Sequence, residues 1–295
     1  VLLDNARFLS SYTVNLPGGA VNTVVRKCII NPLGGNIISL VLPSSNTNNP
    51  GFTVGDNIAS NPDLVIYANG IFKNSSGAAA GNGLDFTNTN DSVNILNGGK
   101  YIHNTTRGNA GIMQRLSTAS GNELGLVVFD VPTTSVYSIS ASGRVYPSIT
   151  FSAASSGGTK VYARTGASNF TVRGNYKVET NAIDSSFMSS ASSWTIGGDF
   201  TLNGATLIKN GQRISFIGTG TQNIYCDTSV YFPNQLIINA NLIVFDRIII
   251  CDTLVLQNGV MKTFTAFDYN KRLTIGTSVS NAGAVIRTGG YVSAC

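Results

Sequence analysis

Fourteen acids, one histidine and four cysteines are the residues in this chain that could carry acid–base, metal or thiol chemistry. The acids are dispersed. Asp227 and Asp252 stand out because each occupies the same place in a repeated phrase, Ile224-Tyr-Cys-Asp-Thr228 and Ile249-Ile-Cys-Asp-Thr253. If the two phrases stack, the carboxylates lie side by side. Two ionised carboxylates that close repel, and one pKa rises unless a cation or an arginine intervenes. Arg247 is the candidate arginine and calcium the candidate ion. The competing reading makes both aspartates solvent-facing turn residues, a position that aspartate favours, and it is preferred. No cofactor or metal is therefore expected, with Asp227 and Asp252 the residues to inspect.

The same stacking would set Cys226 beside Cys251. Neighbouring strands lie about 4.8 Å apart, inside the Cα range of a disulfide. A disulfide and a pair of buried thiols stand as equal alternatives. No two of Cys28, Cys226, Cys251 and Cys295 have CxxC spacing, and His103 is far from all four, which argues against zinc. An even number of cysteines in a low-charge chain fits an oxidising, extracellular setting. His103 has no second histidine near it and no G-x-S-x-G elbow exists to supply a nucleophile. Serine is abundant, so sequence distance leaves a Ser-His-Asp triad open. A structural or exposed histidine is the expected role, and no catalytic residue is assigned.

These residues need elements to position them, and the composition narrows which. The chain has 295 residues, 42% hydrophobic and 11% charged, against roughly 25% charged in an ordinary soluble domain. Glycine and asparagine are each present 32 times and glutamate twice. That excludes a coiled coil or helical bundle, and β-branched and aromatic residues are too frequent for charge-driven disorder. The net charge of +5 reflects a shortage of acids. The bases are scattered, Lys271-Arg272 being the densest group, so the basic stripe of a nucleic-acid binder is missing. No apolar run reaches the roughly 18–20 residues of a membrane-spanning helix. The chain begins at Val1 without methionine and ends at Cys295, which reads as a piece of a longer polypeptide.

Repeats set the architecture. Phe170-Thr-Val-Arg-Gly-Asn-Tyr176 matches Trp194-Thr-Ile-Gly-Gly-Asp-Phe200 at an offset of 24. Short apolar strands ending in glycine or asparagine begin near Trp194, Ser215, Leu236, Leu254 and Leu273. Leu64-Val-Ile-Tyr-Ala-Asn-Gly70 and Val93-Asn-Ile-Leu-Asn-Gly-Gly99 have the same style. Periods near 20–25 built from short strands predict an all-β parallel β-helix, right-handed, or a closely related β-solenoid. One coil cannot bury its inward side chains alone, but a stack can. Glycine and asparagine at the corners supply positive φ. A single solenoid over 1–295 is expected, irregular over 1–165 and regular over 166–295. Tyr162, Tyr176, Trp194, Phe200 and Tyr231 read as a stacked core ladder in preference to a sugar-stacking groove.

The order of phrases in the second half resembles large surface and secreted repeat proteins of the Bacteroidota exported by type IX secretion. The phrases are Ile214-Ser-Phe-Ile-Gly-Thr-Gly-Thr-Gln-Asn-Ile224, Phe232-Pro-Asn-Gln-Leu-Ile-Ile-Asn239, Leu242–Ile250, Thr253-Leu-Val-Leu-Gln-Asn-Gly-Val260 and Leu273-Thr-Ile-Gly276. Asn97-Gly-Gly-Lys-Tyr-Ile-His-Asn104 and Phe129-Asp-Val-Pro132 resemble other parts of those proteins. The resemblance implies an extracellular or cell-surface location and an adhesin-like glycoprotein. It also implies O-glycosylation at Ser92 and Thr253, which sit in Asp91-Ser92-Val93 and Asp252-Thr253-Leu254. The expected function is a non-catalytic stalk or scaffold that displays loops or binds surface polysaccharide, or joins other surface proteins in an assembly. The alternative is a carbohydrate-active β-helix, a polysaccharide lyase or depolymerase, which a cleft of three or more convergent acids and bases would favour.

Overall fold

The computed structural model describes residues 1–6, 10–59, 61–77, 80–208, 212–228, 230–245, 249–263, 273–278, 281–282, 284–287, 289 and 291–293. Among them the fold is all-β, with long parallel sheets and one helix, the single turn Ala110–Met113. Contacts divide the chain into two compact units. One is Val1–Ser140 with Tyr146–Lys160, and the other is Ala141–Val145 with Val161–Cys295.

In the first unit the chain visits three parallel ladders in a fixed order and returns to each one strand further on. The first ladder takes Leu2–Asp4, Cys28–Asn31, Leu64–Ile66 and Val93–Ile95. The second takes Tyr12–Asn15, Ile38–Leu42, Gly70–Asn74, Lys100–His103, Leu126–Phe129 and Ser148–Phe151. Asn22–Val25, Phe52–Gly55 and Leu84–Phe86 form the third. Alternation along each strand sends every second side chain inward. Register then stacks those residues into columns, of which Leu40, Phe72, Tyr101, Val127 and Ile149 form one buried example. The corners use the residues that tolerate positive φ. Asn69 takes it (φ 63) before Gly70, whereas in the next round Gly98 takes it (φ 84) after Asn97.

The second unit repeats the scheme. Phe170 stacks on Trp194 and Tyr176 on Phe200, the pairs expected from the offset of 24. The column continues from Trp194 through Ile214 and Leu236 to Leu254, all buried. Two details differ from the repeat alignment. Trp194 faces Ile214, one residue before Ser215, and a slip of one flips every side chain to the other face. Leu254 pairs with Val285, while Leu273 pairs with Ile249 in another ladder. Tyr162, Tyr176, Trp194 and Phe200 are buried core residues, and Tyr231 is exposed.

Several basic side chains reach back to loop carbonyls of an earlier round. Arg107 donates to the carbonyls of Asn48 (2.6 Å) and Ala80 (3.2 Å), and Lys160 to those of Thr133 (2.9 Å) and Ser135 (2.6 Å). Burial lowers the pKa of both. Beside them runs a polar seam. The Ser75 hydroxyl donates to Asn104 Oδ1, Asn104 Nδ2 donates to the Asp130 carbonyl, and Ser155 Oγ donates to the Asp130 carboxylate.

Candidate functional site

Corner 56–63 follows the strand Phe52–Gly55, and corner 87–92 follows Leu84–Phe86, one round further on. Where they meet, carboxylate oxygens of Asp56, Asp63 and Asp91 lie within 4.8 Å of one another. Among the described residues this is the one grouping of three that could hold a metal ion. Asp63 and Asp91 are each 2% exposed, and Asp56 is half-buried.

The chain brings them together through its backbone. The amides of Asp63 and Leu64 donate to the Ser92 carbonyl, and the Ser92 amide returns a bond to Asp63 Oδ2 at 2.8 Å. Asp63 Oδ1 accepts from the Asp56 amide at 3.2 Å. Asp91 Oδ1 accepts from the Asn57 amide at 2.7 Å. Its Oδ2 accepts from the Asn88 amide (2.6 Å) and the Thr87 hydroxyl (2.9 Å). Gly55, at φ +140, lies so close that an added Cβ would stand 2.0 Å from Asp91 Oδ2. Only glycine fits that backbone and that approach.

Burial pushes the Asp63 carboxyl above its ordinary range. The Ser92 amide opposes that rise, and the charges of Asp91 and Asp56 add to it. Like charges near this separation repel by about 3 kcal/mol at an effective dielectric of 20. A hydrogen bond to a charged group contributes about 1.5–3 kcal/mol. Five donors serve Asp63 and Asp91, enough to offset the repulsion without an ion. Oxygen ligands of this kind suit a hard cation such as calcium, but the bonds already made tie two corners together. General acid–base work on a polymer needs a carboxyl that substrate can reach, and Asp63 and Asp91 are covered.

The knot has a local signature. In Asp91→Ala the amides of Asn57 and Asn88 lose their acceptor. Their hydrogen exchange should speed up about 10- to 100-fold, as loss of a charge-assisted bond implies. Amides of the Gly70–Asn74 ladder should keep their rates. Unchanged exchange at Asn57 and Asn88 would sink this account.

The residues singled out in the sequence do not converge. Ile224 pairs with Phe245, 21 residues on, and Cys251 pairs with Phe232, 19 residues back. The phrases at Ile224 and Ile249 therefore belong to different ladders, and their offset of 25 is not a stacking distance. Cys226 is not joined to Cys251: Cys28, Cys226 and Cys251 are all buried thiols. Burial raises the Cys251 pKa to about 12, with Asp252 adding to the rise. Asp227 is exposed, and Asp252 accepts from the Tyr231 hydroxyl (2.8 Å) and the Asn234 amide (3.2 Å), so no Asp227–Asp252 pair forms. Arg247 and Cys295 lie outside the described residues. Ser92 is half-buried. Thr253 is half-buried within Ile249–Thr263, between Gln235 and Ala284, so neither is on an exposed loop.

The aspartate triad was missed in the sequence although a signal existed. Leu64 pairs with Val93, as the two similar segments suggest, and an aspartate stands one residue before the first (Asp63) and two before the second (Asp91). A second ionic cluster lies in the core of the other unit. Arg164 Nε donates to Asp184 Oδ1 (2.8 Å) and its Nη2 to Oδ2 (2.6 Å), with the Tyr176 hydroxyl on the same carboxylate. The guanidinium lies 4.4 Å from the centre of the Trp194 ring and 4.7 Å from that of Phe170. Arg164 and Asp184 are both 0% exposed, so the pair braces a core and meets no substrate.

No family model matches the chain, and no curated protein or solved structure matches it. Among the described residues no helix is long and apolar enough to cross a membrane.

Proposed function

We propose that the chain is a non-catalytic scaffold, a segment of right-handed parallel β-helix held outside a bacterial cell. It displays corner loops to surface polysaccharide or to other surface proteins. The observation that carries the reading is the unbroken parallel ladder of six strands from Tyr12–Asn15 to Ser148–Phe151. Such a stack holds its corners in fixed register, so many weak polar contacts can add along a polymer. Adhesin-like display and the secretion route rest on the resemblance of the strand phrases. The carboxylates of the aspartate triad are engaged by amides, and those of the Arg164 cluster by the guanidinium and a tyrosine.

The test is a panel of acidic and neutral polysaccharides incubated with the chain, with and without calcium. Retention on at least one polymer, with solution viscosity unchanged, is the expected result. The depolymerase reading has one observation in its favour, the convergence of Asp56, Asp63 and Asp91. A fall in viscosity that Asp91→Ala abolishes would replace the scaffold reading with that one.

A further inference from the structure

His103 ends the strand Lys100–His103 and points inward, fully buried. Its Nδ1 lies 3.1 Å from the Tyr101 hydroxyl. Its Nε2 lies 2.6 Å from the Tyr137 hydroxyl and 3.1 Å from the Arg107 carbonyl. Tyr137 donates to that same carbonyl and accepts from Asn109 Nδ2 at 2.8 Å. The Tyr101 oxygen faces Asn74 Nδ2, a donor. One proton arrangement satisfies the whole set: a neutral imidazole protonated at Nε2, with Tyr101 donating to Nδ1. A second proton, on Nδ1, would face a hydroxyl whose one other hydrogen-bond partner among the described residues is the Asn74 donor.

The titratable and charged groups packed around the ring give an imidazolium no support. Tyr101 lies on its own strand, Tyr137 on Tyr137–Ile139, and Arg107 in the loop 104–109. The Lys160 ammonium stands 5.8 Å from the centre of the Tyr137 ring. Phe129, on the neighbouring strand, closes the ring in at 5.6 Å. Burial lowers the His103 pKa from 6.5 to about 4, against a small opposing effect of the Arg107 carbonyl.

We propose that His103 is an acid-released latch for the unit Val1–Ser140 with Tyr146–Lys160. Neutral, it closes loop 104–109 and strand Tyr137–Ile139 onto the ladder. Protonated, it keeps its Nε2–H but can no longer accept from the Tyr101 hydroxyl at Nδ1. It then holds a buried charge among groups that do not offset it, so the closed arrangement is destabilised. Opening also frees Arg107, whose side chain clasps the corners at Asn48 and Ala80, so release spreads to two earlier rounds. The neutral form is favoured by folding, so this stability is fully present above pH 6.5 and is lost as pH falls toward 4. A displacement from 6.5 to about 4 corresponds to an about 300-fold change in the opening equilibrium.

The chain has one histidine, so selective ring labelling gives a single NMR signal. In the native full chain that signal should stay neutral and Nε2-protonated to below pH 5. Tyr101→Phe, which removes the donor to Nδ1, should raise the titration midpoint. Independently, the urea midpoint of the unit should fall between pH 7 and 5 in the wild type and stay flat in His103→Gln. A native midpoint near 6.5, or the same loss in His103→Gln, would overturn the proposal. If His103→Gln does not fold, the wild-type ring titration alone decides.

Discussion

Asp184→Asn should lower the stability of the unit Ala141–Val145 with Val161–Cys295 by about 3–5 kcal/mol, because it leaves a buried guanidinium without its counter-charge. Arg164 and Asp184 are both 0% exposed, and the bond between them is two-pronged. Water cannot reach the site to replace the lost oxygen charge. The two aromatic faces on the guanidinium recover only a fraction, since a cation–π contact is worth about 2 kcal/mol even when desolvated. Replacing both partners with apolar residues is a different experiment. Arg164→Met with Asp184→Leu removes both charges and keeps the volume, and should recover most of the loss. Urea unfolding at pH 7 measures both. A cost below about 1 kcal/mol for Asp184→Asn, against the range given for a broken buried pair, would show that the pair is hydrated in solution.

The second large effect lies one contact away. Trp194→Ala should cost about 3–5 kcal/mol, the usual range for deleting a large aromatic from a packed core. The indole is 0% exposed and touches four groups: the Arg164 guanidinium and the rings of Phe170, Tyr176 and Phe200. Its Nε1–H is buried without a hydrogen-bond partner among the described residues. Trp194→Phe therefore loses no polar bond, keeps a ring against the cation, and should cost less than about 1.5 kcal/mol. Equal losses in Trp194→Phe and Trp194→Ala would mean that the indole nitrogen matters after all. Effects at Asp184 and Trp194 should not add, because both act through Arg164. Trp194 is the single tryptophan, so its fluorescence reports unfolding in the Asp184 variants directly.

The sequence was most legible where side chains repeat. The aromatic pairs Phe170 with Trp194 and Tyr176 with Phe200 stack as their spacing predicts, because a column of rings constrains residue type in successive rounds. It was misleading where a similar phrase recurs on a different ladder. Ile-x-Cys-Asp-Thr at 224 and 249 looks like one repeat, yet the two copies pair with Phe245 and with Val230. Alternation and β-branched content are shared by every ladder, so local similarity does not identify which ladder a strand joins. The aspartate triad depends on backbone amides of two corners, and amides leave no trace in residue type. His103 gave only its solitude. The tyrosines that cover it stand two and 34 positions away.

Stacked partners are 18 residues apart at Gln235 and Thr253, but 36 apart at Cys28 and Leu64, with parallel pairing kept in both. Doubling a flexible connection costs roughly 0.6 kcal/mol in closure entropy, little beside the burial of one inward aromatic. Insertions and deletions at corners outside ties such as the aspartate triad and the Arg107 contacts are therefore nearly neutral, whereas a single-codon slip inside a strand turns its apolar face to water. Lineages of such a chain would drift in corner length and corner chemistry while the columns hold still. New recognition surfaces could then be sampled by natural variation without putting the folded state at risk.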